Sequence, residues 1–157
     1  MRRIVSTIAL ICIVMCAFTA CNMFASKIWE ENESKLKEAL VREKFGALVL
    51  SNFTPFKWDE VYLFPFGTDE QTIYDTIGYK WGEIKHSDTD YEMQVVFVKD
   101  SKVVCYCSGT EKEKGYYIKA AFQKGEKYKV VKSKDNLLFY LSTEPGFMML
   151  EYKQPQR

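Results

Sequence analysis

Cys105 and Cys107 are the pair of residues in this chain best suited to covalent chemistry. Side chains two apart on a strand point to the same face, so the two thiols meet if the segment is extended. Two readings are open. Free cysteines pack as small hydrophobes, and Val103, Cys105 and Cys107 would then form one apolar stripe on a core face. Alternatively, the pair is a redox couple, because a disulfide across two residues of a regular strand is strained and easily reduced. Zinc takes four ligands, so two thiolates alone make a poor metal site, and no metal or other cofactor is expected. The chain has one histidine, His86. A Ser–His or Cys–His nucleophile pair would have to use it as base, yet it sits in "EIKHSDTD", a polar stretch that reads as an exposed loop. Asp59 and Glu60, and Asp88 and Asp90 beside His86, are candidate carboxylates for acid–base work, but none stands out, and a solvated surface is the plainer reading. "DTD" has too few ligands for a calcium loop. No glycine-rich phosphate loop, GxSxG elbow or HExxH motif occurs.

A second kind of candidate is apolar. Trp58, Tyr62, Phe64, Phe66, Tyr79 and Trp81 crowd into 24 residues. They serve either as core of a small domain or as an aromatic surface, through Trp58, Tyr62, Phe66 and Trp81, that grips a protein, peptide or glycan.

These residues must be positioned by a domain of ordinary size. The chain has 157 residues, with 27% charged and 15% aromatic, which fits one folded domain. All 21 acidic residues follow Cys21, whereas Arg2 and Arg3 precede it, leaving 20 basic against 21 acidic residues beyond that point. No basic field exists to hold a nucleic-acid backbone.

The first 20 residues have a different design. Arg2 and Arg3 lead into the charge-free run Ile4 to Met15, and smaller residues follow from Ala17 to Ala20. That is the plan of an export signal, and Ile4 to Ala25 is also long enough for an uncleaved anchor helix. Phe18-Thr19-Ala20-Cys21 resembles the lipobox of bacterial lipoproteins, with Phe18 where that family usually has Leu. The resemblance implies a diacylglyceryl group on the Cys21 sulfur, cleavage before Cys21, and lasting attachment to a membrane through several acyl chains such as palmitate. The domain plan is then 1–20 as signal peptide or anchor and 21–157 as one extracytoplasmic domain, with 21–34 a candidate tether. A plain single-pass anchor and simple secretion are the alternatives.

Within the exported part, Glu30 to Lys44 is rich in helix formers. Leu36, Leu40 and Val41 share a face, Phe45 follows Val41 at i+4, and Gly46 offers a stop, which predicts a helix over about 26–45. "VYLFPF" (61–66) is apolar at nearly every position, so that strand is buried on both faces or covered by a helix. Thr68 and Gln71 have the spacing of a capping box and open a short helix over about 69–77, with Ile73 and Ile77 on one face and Gly78 at its end. Six period-two segments follow: 91–98, 102–108, 116–122, 127–132, 136–142 and 147–152. Short polar connections between them favour an antiparallel meander. The expected class is α+β: one sheet of about five or six strands, two helices on one of its faces, and the apolar helix in front.

The segment "FKWDEVYLFPFGTDEQTIYDTIG" (56–78) resembles one in a group of bacterial lipoproteins and exported proteins, where a Trp-Asp strand, an aromatic-Pro turn and a short helix follow in that order. It brings no activity with it. The leading expectation is a membrane-anchored, non-enzymatic envelope module that binds a protein or glycan or serves assembly. A small envelope enzyme using Asp59 and His86 or the cysteine pair is the second, and a secreted inhibitor-like module the third.

Overall fold

The computed structural model describes residues 28–87 and 91–153. Cys21 and the apolar segment lie outside these residues, as do Asp88 and Asp90. Among the described residues no helix is long and apolar enough to cross a membrane. The class is α+β.

Helix α1 covers 28–43. Its buried stripe runs through Trp29, Asn32, Leu36 and Leu40, the three-and-four spacing of one helix face. Val41 and Phe45, expected on that face, are 51% and 75% exposed. Val41 lies one residue, about 100°, around the helix from Leu40. Phe45 is past the helix end, because Lys44 takes the left-handed conformation (φ 70°) and donates its N–H to Leu40 O at 3.1 Å. Gly46 therefore does not stop the helix; it opens a strand.

That strand is β1 (Gly46–Val49), followed by the single turn α2 (Leu50–Phe53), β2 (Glu60–Phe64) and α3 (Glu70–Ile77). Next come β3 (Met93–Lys99), β4 (Lys102–Gly109), the short α4 (Glu111–Lys114), β5 (Tyr116–Ala120), β6 (Lys129–Lys132), β7 (Leu138–Glu144) and β8 (Phe147–Tyr152). All six period-two segments are strands, but they do not form one meander. The described residues form two four-stranded sheets, ordered β4-β3-β2-β6 and β1-β7-β8-β5. The first is antiparallel throughout, while the second contains one parallel pair, β5 with β8. The cause lies in β2. With apolar residues on both faces it takes a central place, paired to β3 and β6, and each face needs its own cover. Val61 and Leu63 face the second sheet, among Phe97, Phe139 and Leu150. Phe64 on the other face packs under Ile73 and Ile77 of α3.

The two helices do not share a sheet face. Only α3 lies wholly on the outer layer. Helix α1 straddles two layers, with Trp29 in the outer cluster and Leu36 and Leu40 in the inter-sheet core. Asn32 Nδ2 donates to Val104 O at 2.8 Å and ties α1 to edge strand β4. That bond marks a β-bulge: Phe97 pairs with Cys105 but Val98 pairs with Val103, so Val104 is the extra residue. The bulge reverses the alternation. Val103 packs in the outer layer, whereas Cys105 and Cys107 face the inner core, and the expected three-residue stripe is broken.

The cap of α3 is also one residue later than the spacing predicts. Asp69 accepts from Thr72 N–H (2.9 Å) and Thr72 Oγ1 (2.8 Å), and these bonds hold its carboxyl below the ordinary carboxylate range. Thr68 Oγ1 donates instead to Pro65 O at 2.7 Å. Ile73 and Ile77 share the buried face as expected, and Gly78 ends the helix at φ 87°.

Candidate functional site

The thiols are close but sealed. Cys105 Sγ and Cys107 Sγ lie 3.8 Å apart, unoxidised and without solvent exposure. Beside them a polar chain crosses the seam between α1, α4 and β5. Thr110 and Glu113 form the capping box of α4, and Gly115 ends that turn at φ 72°. This fixes Lys114, whose Nζ donates to Glu33 Oε1 at 2.6 Å. Tyr116 Oη donates to the same oxygen at 2.9 Å. Burial pushes the Cys105 thiol well above its ordinary value, with Cys107 and the Glu33 charge acting in the same direction. Burial also pushes the Tyr116 phenol far up. Thiolate is the nucleophile and the metal ligand, so protonated, enclosed thiols suit packing. Among the described residues no three His, Cys, Asp or Glu side chains group to hold a metal.

Asp59 and His86 are not brought together. Asp59 Oδ2 accepts from Asp100 N–H at 2.8 Å and steadies the β3–β4 turn, where Asp100 and Ser101 both have positive φ. Its backbone bonds Val98 O and Ser133 N–H. His86, an exposed residue, follows Lys85, whose N–H donates to Tyr106 Oη and whose carbonyl accepts from Gln94 Nε2. Val98 and Gln94 are four residues apart on β3, about 13 Å at the rise of an antiparallel strand.

The four aromatics chosen from the sequence occupy four places. Trp58 is core: its indole N–H donates to Thr54 Oγ1 at 2.8 Å and its ring meets Phe97 edge-on at 5.6 Å. Tyr62 is half-buried on the outer face, against Phe64 and Tyr128, with its hydroxyl on Glu60 Oε2 at 2.6 Å. Trp81 is half-buried against Trp29 and Tyr106, each at 5.5 Å. Phe66 alone is largely open, at 55% exposure, with Tyr91 and Tyr117 each 6.4 Å from its ring.

Phe66 stands at the mouth of an apolar cleft of about 290 Å³. Leu63, Phe64 and Pro65 from the end of β2, Met93 and Val95 from β3, and Tyr117, Ile118, Ala120 and Phe122 from β5 and beyond line it. Among the described residues Lys119 is the one charged group lining it, and Lys119 Nζ is paired with Glu151 Oε1 at 3.6 Å. Burial pushes the Tyr117 phenol up to about 12, which keeps it neutral near pH 7. The cleft is larger than the roughly 150 Å³ that accepts benzene and sits at the low end of ligand pockets, about 300 Å³. It suits one ring or one branched aliphatic group. The sequence pointed to Phe66. It gave no signal for Met93, Tyr117 or Phe122, because residues far apart in the chain meet only once the sheets have paired.

The fold and this cleft define a two-sheet α+β domain with an apolar opening at one end. Compared with known proteins, the chain matches no family model, no curated protein and no solved structure.

Proposed function

We propose that the chain is a lipid-anchored envelope domain of bacterial lipoprotein type that binds a partner through the apolar cleft at Phe66 and Tyr117. The observation that carries the binding role is the cleft itself, which is largely apolar, open at its mouth and edged by the exposed ring of Phe66. Exposed apolar area of this kind costs solubility unless something uses it. Phe18-Thr19-Ala20-Cys21 supports the anchor. In this reading the membrane is reached through acyl chains on Cys21, the domain is extracytoplasmic, and the partner is an envelope protein or glycan.

Two experiments test the two halves. Intact mass of the membrane-extracted protein should show loss of residues 1–20 and added acyl mass, with Cys21→Ser released or unprocessed; a full-length, unmodified mass removes the lipid anchor. For binding, a benzophenone amino acid placed at Phe66 in the full chain should give a discrete photo-adduct in cells. Ala120→Trp, which fills the cleft, should abolish that adduct. An adduct indifferent to the filled cleft removes the binding role.

A further inference from the structure

We infer that the cleft seats an extended peptide, which pairs with the outward edge of β5 and places one bulky apolar side chain in the cleft beside Phe66 and Tyr117. The inference rests on the cleft being the binding site and names what enters it.

Among the described residues β5 is the last strand of its sheet, paired only with β8. That pairing is parallel, and Met148 N–H donates to Gly115 O at 3.1 Å. In a parallel ladder a strand bonds its neighbour through alternate residues. Tyr117 and Lys119 therefore turn their backbone groups to β8, and Ile118 and Ala120 turn theirs away. Ile118 confirms the parity: its N–H points to Met93 Sδ at 3.4 Å, a weak acceptor. One step on, Ile118 C=O and Ala120 N–H face the same way, at residues that line the cleft. Burial is relaxed there, since Lys119 and Ala120 are partly open and Ala121 is exposed.

A hydrocarbon chain would fill the apolar volume and leave that carbonyl and amide without partners, at a cost for each group shut off from water. An extended peptide satisfies both. It adds a strand to the free edge and sends every second side chain into the pocket, the recognition mode of edge-binding domains. One guest residue placed opposite Lys119 would bond both Ile118 C=O and Ala120 N–H. The size of the cleft sets that guest's side chain as a single ring or a branched aliphatic group. The largely apolar lining, with Lys119 already paired to Glu151, sets its neighbours as uncharged, strand-forming residues such as Val and Thr.

The test uses the full chain in lipid nanodiscs, with empty nanodiscs subtracted. The probes are a fluorescein-labelled, capped Thr-Val-Phe-Val-Thr peptide, the same peptide with Ala in the centre, two versions N-methylated at alternate amides, and a dansyl-labelled octylamide. The Phe peptide should bind. Central Ala should weaken it at least tenfold, and so should one of the two N-methylations. Ala120→Pro removes the outward N–H without touching the β8 ladder, as an edge strand allows, and should weaken binding similarly. If that variant misfolds, the N-methyl series on the unaltered protein decides alone. Equal binding of all the peptides overturns edge pairing. Binding of the octylamide, lost in Ala120→Trp, with no peptide bound overturns the peptide and leaves the cleft as a binding site. Binding of no probe overturns both.

Discussion

Two regions of this domain answer opposite questions. The Cys105–Cys107 seam holds thiols, a phenol, a carboxylate and an ammonium within contact of one another, yet the thiols and the Tyr116 side chain have no exposure. The cleft at Phe66 is open but lined almost wholly by apolar atoms. One region has the residue types of chemistry without access, and the other has access without those types. Enclosure explains the first. Desolvation drives the thiol and phenol toward their neutral forms, and the surrounding bonds satisfy polar groups that would otherwise be costly to bury. The same residue types beside solvent would read as a reactive site.

The largest break in that contrast should come from Tyr116→Ala. It removes a fully buried ring and the second donor to Glu33, and should cost about 3–5 kcal/mol in denaturant unfolding. Glu33→Ala should come next, at about 1–3 kcal/mol, because the Tyr116 hydroxyl and Lys114 lose their shared acceptor. A loss indistinguishable from zero would mean the seam is not built on Glu33. Phe66→Ala should change stability by less than about 0.5 kcal/mol while weakening binding of the Thr-Val-Phe-Val-Thr peptide proposed for the cleft. Thiol reagents should leave Cys105 and Cys107 unlabelled in the native protein and modify both after unfolding, as read by peptide mass mapping. Labelling in the native state would reopen a redox role.

The pH dependence sharpens the same contrast at the edges of the range. Tyr117 has a raised phenol pKa, so its contribution to stability is complete below pH 10 and is lost as pH rises toward about 12. Stability should fall through that window, and Tyr117→Phe should flatten the fall. At the other end, Asp69 has a lowered carboxyl pKa. Its contribution is present above the ordinary carboxylate value and fades as pH drops through the lowered one. The effect should be small and confined to α3, as amide exchange of that helix would show.

Which parts were legible follows from how far each signal reaches. The six late strands were readable because alternation is local. The burial of β2 on both faces was readable for the same reason. Sheet membership was not, since β2 pairs with β6 and β5 with β8 across long stretches of chain. β1 was missed because "GALV" is four residues with no alternation. The shared face of Cys105 and Cys107 was read correctly, but Val103 was misplaced, because nothing in "KVVCYC" announces the bulge at Val104. "TEKE" at 110–113 has the Thr-x-x-Glu pattern of a capping box and was read only as a turn. The aromatic cluster was visible as composition. Its division between core, outer face and cleft mouth required the sheet order.

The account's central claim is that the open cleft, and not the thiol seam, is the working part. The most direct measurement compares two variants of the full chain carrying the benzophenone probe at Phe66. The account predicts that Cys105→Ala/Cys107→Ala keeps the discrete adduct and Ala120→Trp loses it, both with native circular dichroism. Loss of the adduct in the cysteine variant, with retention in the filled cleft, would contradict it.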